Sequence, residues 1–313
     1  MKRLIALITL GVLAAGLIAV GAGCAKKAPE TIKVGTMPAV NSLPLIIAKH
    51  NGYFEAEGIN VELIPFQSQT DRESALQAGQ IDGTVTDLIN AVTEVDNGFP
   101  VKVTSSTDGR FLLLASPKSG FASLADLKGK KGITTGLIAN SVVQYETERF
   151  LQQNGLPIDT YELVSIPQIP ARLAALAAGQ TQLACLPEPM ATVAVLQGAK
   201  VLADTNNSPA TAGALVFTDA ALKDKKSALT AFYRAYDRAV AELNTNWAAY
   251  KDVIINEGQF PPQVKDALKP QTFRPHCLPT REEVEQIIAW MKDHNSLKQN
   301  LTYEQLVTEA FTR

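Results

Sequence analysis

Residues 75–80 read Ala-Leu-Gln-Ala-Gly-Gln, and residues 175–180 read Ala-Leu-Ala-Ala-Gly-Gln. Five of six positions match at an offset of one hundred residues, and the physics downstream matches too. Gly79 and Gly179 stand where a helix would stop in a left-handed turn. A short apolar stretch follows each, at residues 81–85 and 183–186, and then a second helix start, Thr86-Asp87-Leu88 or Pro187-Glu188-Pro189-Met190. Alanine-rich helices ending in glycine are common, so it is the downstream match that makes a helix–strand–helix unit used twice the better account. The period is too long for a solenoid. It suits two similar lobes, each presenting a loop to a shared cleft.

Outward from this pair, strands alternate with helices along most of the chain. Residues 32–36, 61–64, 81–85 and 101–104 read as strands. Asn41-Ser42-Leu43-Pro44 opens a helix, with Ser42 suited to the N-cap and Pro44 to the first turn. That helix stops at Asn51-Gly52, and residues 71–78 form the next. The spacing predicts an α/β fold with largely parallel sheets. Residues 111–115, after Arg110, are an apolar strand that runs into Ser116-Pro117, where a first crossing between lobes is expected. The second lobe repeats the alternation, with strands at 132–135, 161–166, 183–186 and 200–203 and helices at 141–154, 171–178 and 190–197. Residues 213–217 carry the chain back. The expected organisation is a signal segment at 1–23, a tether at 24–30, lobe I at 31–112 plus 215–313, and lobe II at 113–214. In the helical remainder, Leu229, Phe232, Tyr236, Val240 and Leu243 share one face of a long helix. Thr280 with Glu283, and Thr302 with Gln305, form capping boxes.

The first residues are a basic Met1-Lys2-Arg3, an apolar run from Leu4 to Val20 broken by Thr9, and Gly21-Ala22-Gly23-Cys24. This is the pattern of an export signal. The cysteine at the junction resembles a bacterial lipoprotein signal, in which it carries lipid and becomes the mature N-terminus, although Gly21 stands where Leu, Val or Ile is usual. An uncleaved membrane anchor is the alternative. Either places the rest of the chain outside the cytoplasm and tethered to a membrane. Cys185 and Cys277 remain, either paired or as two small buried hydrophobes. There is no CxxC and no Cys/His cluster, so no metal or cofactor is expected. A formal charge of −2 and the lack of a basic block exclude nucleic acid as a partner class.

In open α/β sheets, ligands sit beyond the carboxyl ends of the strands. The residues there define a candidate binding site. From the first lobe they are Thr36, Met37, Asn41, Ser42, Gln67, Thr86 and Asp87. From the second they are Thr135, Gly136, Asn140, Ser141, Pro187 and Glu188, with Arg110 beside the crossing. Most are neutral hydrogen-bonding groups near helix N-termini, where outward N–H groups favour an anionic or electronegative ligand group. Simple capping explains any one of them, and the argument rests on their convergence. Asp87 and Glu188 occupy near-equivalent places and could take an amine or ring N–H. Arg110 could clamp a carboxylate or sulfonate, or pair with Asp108 or Asp87.

Several blocks together resemble a known group: Val34-Gly35-Thr36-Met37-Pro38 with Leu45-Ile46-Ile47-Ala48, Gly52-Tyr53-Phe54-Glu55-Ala56-Glu57-Gly58-Ile59, residues 75–83, and Pro187-Glu188-Pro189. The chain resembles the substrate-binding lipoproteins of ABC importers in the nitrate/sulfonate/taurine group, which includes binders of thiamine-pyrimidine precursors. The resemblance implies a two-lobed type II periplasmic-binding-protein fold with two hinge crossings. It implies a monomer that captures a small polar organic ligand (a sulfonate, zwitterion or nitrogen heterocycle) and delivers it to a permease and its ATPase. Leu186 stands where relatives often carry Trp, which argues against an aromatic-stacked ligand. Two rival functions are an enzyme on the same fold, such as a pyrimidine-precursor synthase, and the sensing subunit of a receptor. The enzyme would need a nucleophile with a base or metal ligands. His50, His276 and His294 have no suitable sequence neighbours for that.

Overall fold

The computed structural model describes residues 29–207 and 212–311. The signal-like segment, Cys24 and most of the tether lie outside the described residues. In chain order the elements are β1 (Thr31–Thr36), α1 (Leu43–His50), α2 (Tyr53–Ala56), β2 (Asn60–Pro65), α3 (Gln69–Gln77), β3 (Gly83–Asp87), α4 (Leu88–Asp96), β4 (Val101–Ser106) and β5 (Phe111–Ala115). Then come β6 (Ile133–Leu137), α5 (Val142–Gln153), β7 (Tyr161–Ser165), α6 (Ile169–Ala178), β8 (Leu183–Pro187), α7 (Met190–Leu196), β9 (Lys200–Asp204) and β10 (Gly213–Thr218). Helices α8 (Asp219–Asp224), α9 (Lys226–Asn246), α10 (Lys251–Asn256), α11 (Arg281–Asp293) and α12 (Tyr303–Leu306) complete the chain.

The strands form two five-stranded sheets, ordered β2-β1-β3-β10-β4 and β7-β6-β8-β5-β9. The two orders correspond position by position. In each, three parallel strands are followed by an antiparallel fourth, β10 or β5, and each fourth strand carries a register shift, at Leu215/Val216 or Leu113/Leu114. Val34 and Gly35 pair with Gly83 and Thr84 in one sheet, and Thr135 and Gly136 pair with Leu183 and Ala184 in the other. The repeat read from eight or so residues therefore extends over whole lobes. Each fourth strand enters its sheet just after the chain has left the other sheet. Because β5 pairs with β8 and β9, the first crossing lies at residues 107–110, ahead of Ser116-Pro117 and of the 112/113 boundary. The chain returns between β9, which ends at Asp204, and β10, which begins at Gly213. An apolar five-residue run suits the centre of either sheet, so its composition could not say which side of the crossing it occupies.

Helices cover both faces of each sheet. On lobe I, α1, α2 and α9 bury one face, and Leu229, Phe232, Tyr236, Val240 and Leu243 all join that core. Phe232 stacks on Phe54 with centroids 5.4 Å apart and meets Phe217 edge-on. Burying each such ring contributes about 1.5–3 kcal/mol. The other face packs on α4, α11 and α12. Both capping boxes form at the starts of α11 and α12. The lobes touch on two flanks: Val193 of α7 enters the lobe I core, and Val142 and Tyr145 of α5 pack against its second cluster.

Candidate functional site

The parallel strands of each lobe end next to the N-termini of α1 and α4, or of α5 and α7. In lobe I the wall is organised by Arg72. Ser68 caps α3 by accepting from the Asp71 amide at 3.2 Å, which sets Arg72 one turn in. The Arg72 side chain is buried, and it donates to Thr86 Oγ1 at 2.8 Å, Glu73 Oε1 at 2.5 Å and Met37 Sδ at 3.3 Å. Its Nε–H meets no acceptor among the described residues. Beside it, Asp87 caps α4 by accepting from the Asn90 amide at 2.9 Å and from Asn90 Nδ2. Burial pushes the Asp87 carboxyl up to about 6 against the opposing effect of these hydrogen bonds and of Arg72.

In lobe II the equivalent arginine, Arg172, has no carboxylate. It is almost fully buried and donates to the carbonyls of Ile166 at 3.1 Å, Cys185 at 3.0 Å and Pro167 at 3.4 Å. Burial pulls its proton affinity down. Gly136 is what lets it pass, because a Cβ there would lie 3.1 Å from Arg172 Cγ. Gly35 stands at the equivalent strand position in lobe I, but there a Cβ would meet Ile81 Cδ1 at 2.7 Å and Thr84 Oγ1 at 2.9 Å, not the arginine. At the start of α5, Asn140 adopts a left-handed backbone (φ 53°), tolerable for asparagine, and its amide donates to Gln144 Oε1 at 2.7 Å. Glu188 accepts from the Thr192 amide and hydroxyl, each at 2.9 Å, and burial pushes its carboxyl up.

The two walls meet through charge. Glu146 on α5 is buried, pairs with Arg149 at 2.5 Å, and is pushed up to about 7, chiefly by burial, with repulsion from Asp87 adding to it. Beside them the seam narrows to a cavity of about 10 Å³ between Leu88 and Ala212 of lobe I and Tyr145 and Glu146 of lobe II, room for about one water. A larger cavity of about 310 Å³ opens at the ends of β1 and β2. It takes in Thr36 and Met37 together with Lys49, Leu63 and Gln259, all from lobe I.

The sequence-derived residues divide accordingly. Met37, Thr86 and Asp87 gather around Arg72, and Gly136, Asn140 and Ser141 line the matching end of lobe II. Asn41 lies beside the crossing, its Nδ2 3.9 Å from the position a Cβ on Gly109 would take. Gln67 is exposed and donates to Gln259 at 3.2 Å. Pro187 pairs with Phe111 in the sheet. Two capping expectations and the Arg110 pairings change. Ser42 does not cap α1: a 3-10 turn at Val40–Ser42 precedes the helix, and its buried hydroxyl has no hydrogen-bond partner among the described residues. Ser141 donates to the Ile138 carbonyl at 2.6 Å instead of capping α5. Thr135 is fully buried and donates to Ile133 O at 2.9 Å within its own strand. Arg110 pairs with neither Asp108 nor Asp87. Asp204 holds it at 3.0 and 2.5 Å, with Glu188 at 3.9 Å, so it ties the first crossing to the strand before the second. Asp108 instead holds Arg274. Cys185 and Cys277 are both free thiols.

Arg72, Glu73, Glu146, Arg149 and Arg172 were missed. For the two arginines a signal existed: each stands three residues before its copy of Ala-Leu-x-Ala-Gly-Gln. For Glu146 none did, since a charge on a helix facing another lobe looks like any solvated charge.

The profile of the NMT1-like family matches residues 25–255. A Bacillus subtilis (strain 168) protein assigned as an aliphatic sulfonates-binding protein is 32% identical over 137 residues, 42% of this chain. That match spans only 41% of the relative's length. Among solved structures, the ligand-binding component of an ABC-type import system from Staphylococcus aureus superposes with a TM-score of 0.77 at 18% identity, covering 91% of this chain and 98% of the other. The periplasmic aliphatic sulphonate-binding protein SsuA of Escherichia coli gives 0.74 at 18%, covering 90% and 92%. The desulfurization enzyme DSZB shares the fold as well, with 0.66 at 14% identity, covering 90% and 97%. At these identities the structures establish the two-lobed periplasmic-binding fold.

Proposed function

The chain belongs to the NMT1-like family, and from that premise we propose that it captures a small organic anion or zwitterion between its lobes and hands it to an ABC importer. The observation that carries this is the seam, where two sheets of identical order, joined by two braced crossings, bring buried charged groups face to face. A ligand that touches both walls favours the closed arrangement through its differential affinity for it. Arg72, with an Nε–H to spare, would take a sulfonate or carboxylate, helped by the hydrogen-bonding groups at Asn41, Asn140 and Ser141. Asp87 or Glu146 would take an amine or ring N–H. A lipid on Cys24 would hold the protein beside its permease outside the cytoplasm and raise its effective concentration there; fractionation of a Cys24→Ala variant, expected in the soluble fraction, tests the anchor.

The shared fold with a desulfurization enzyme keeps catalysis as the second possibility, because fold alone does not decide function. The nucleophiles argue against it. Burial pushes the Cys185 thiol up to about 12, which leaves it unreactive. His50 is held by Glu257 at 2.7 Å, and His276 contacts the Thr104 carbonyl at 2.8 Å while stacked on Tyr233. Native mass spectrometry of gently purified protein, followed by calorimetry with short alkanesulfonates, aminosulfonates and nitrogen heterocycles, decides between them. Unchanged ligand released on denaturation, and a loss of affinity of about a hundredfold in Arg72→Gln, are expected. Turnover of a bound compound, or no binding across all three classes, would overturn the proposal.

A further inference from the structure

On the flank of the seam, Glu148 of α5 is buried and accepts four hydrogen bonds. Gln144 Nε2 donates at 2.9 Å and Tyr161 Oη at 2.6 Å, both from lobe II. Trp290 Nε1 at 2.7 Å and His294 Nε2 at 3.1 Å come from α11 and its C-terminal cap, which pack on lobe I. An ionised carboxylate can accept from all four of these donors, whereas a protonated one would have to donate. His294 Nδ1 lies 2.8 Å from the Trp290 carbonyl, which only accepts. Both ring nitrogens therefore face acceptors, and a ring that donates to both carries two hydrogens. The His294 ring also lies over the Trp290 indole, centroids 4.3 Å apart, an arrangement that favours a cation.

The same face of α5 leads back to the candidate site. The Asn140 amide donates to Gln144 Oε1, which fixes that amide group with its Nε2 toward Glu148. Gln144 and Glu148 are spaced by four, one turn apart on one face of α5, and Asn140 lies in the loop just before that helix. The other charged groups around the latch are engaged elsewhere: Glu146 with Arg149 on α5, and Asp96 of α4 with the Lys298 and Gln299 amides. Lys292 and Asp293 beside His294 are exposed.

We propose that Glu148, Trp290 and a doubly protonated His294 form a proton-dependent latch between the lobes, linked through Gln144 to the ligand loop at Asn140. The latch rests on the capture-by-closure reading, and it deepens that reading with a regulatory device. Closing takes up a proton, so the closed state weakens as pH rises and His294 becomes neutral, when Nε2 would turn a lone pair toward the carboxylate.

The test needs no ligand. In the full chain labelled with 15N-histidine, long-range correlation spectra at pH 7 should show the imidazolium pattern for His294, assigned by its loss in His294→Gln. In a Trp247→Phe background, acrylamide quenching of Trp290 should rise severalfold between pH 6 and pH 8.5. That pH response should vanish in His294→Gln, and quenching should be high at every pH in Glu148→Gln. Glu148→Asp, which keeps the charge but draws it back from its donors, should raise Trp290 quenching at pH 6 severalfold if Glu148→Gln fails to fold. A neutral His294 tautomer at pH 7, or pH-independent quenching in the parent, overturns the latch while leaving capture intact. A working latch in a protein that binds no solute would overturn capture alone.

Discussion

Arg72 and Arg172 hold the same position in the same motif, one per lobe, yet they end in different chemistry. In lobe I the arginine meets a carboxylate, a hydroxyl and a thioether, and keeps a donor in reserve. In lobe II it is spent on three main-chain carbonyls. The cause is legible one hundred residues along: Glu73 and Thr86 correspond to Leu173 and Leu186. With its polar partners replaced by leucines, the second arginine has only backbone to bond. The scaffold was kept in both halves, while an arginine with side-chain partners was kept in one. Under the proposed capture, lobe I is the wall that recognises and lobe II the wall that is braced.

The largest effect should come from breaking that asymmetry. Arg172→Met leaves the buried Cys185 carbonyl and two part-buried carbonyls at the strand ends without their donor and should cost about 3 kcal/mol, read from urea denaturation. Arg72→Gln keeps a donor near Thr86 and should cost only about 1 kcal/mol while abolishing tight ligand binding. If the stability losses came out in the reverse order, the division of labour would be wrong.

The second contrast is across the seam, between Asp87 of lobe I and Glu146 of lobe II. Both carboxyls are pushed up by burial, from 3.8 to about 6 and from 4.5 to about 7. The folded chain thus binds more protons than the unfolded chain between those values, so their contribution lowers stability as pH rises from about 4 to about 7. Each such shift corresponds to roughly 3 kcal/mol. Glu146→Gln and Asp87→Asn should each flatten that decline, with the variants at least as stable as the parent at pH 8 by urea midpoint. A decline of unchanged steepness in Glu146→Gln would mean that the acid is not buried against lobe I in solution.

How far the sequence could be read follows from what each signal depends on. The alternation of strands and helices, the long apolar face of α9 and the two capping boxes rest on local chemistry, and all appear in the structure. The crossing at residues 107–110 depends on which sheet an apolar strand joins, and nothing within Phe111–Ala115 encodes that. The site was half legible for a related reason. Strand ends and helix starts are local features, so Met37, Thr86, Asp87 and Asn140 could be named. Arg110 looked ligand-ready because its partner, Asp204, lies 94 residues away. Glu146 and Glu148 gain their meaning only from the other lobe.

The smallest contrast concerns two serines that looked alike as N-caps, Ser42 in lobe I and Ser141 in lobe II. Neither accepts a capping bond. Ser141 still makes a short hydrogen bond to Ile138 O and steadies the loop that carries Asn140, so Ser141→Ala should cost about 1 kcal/mol. The Ser42 hydroxyl is buried without a partner among the described residues, and removing it relieves a desolvated group without breaking a bond. Ser42→Ala should therefore leave the thermal midpoint unchanged or raise it by a degree or two. A loss of 1 kcal/mol or more in Ser42→Ala would instead mean that this hydroxyl is satisfied in solution, most simply by a water or ligand atom in the cleft, and would add Ser42 to the recognising wall of lobe I.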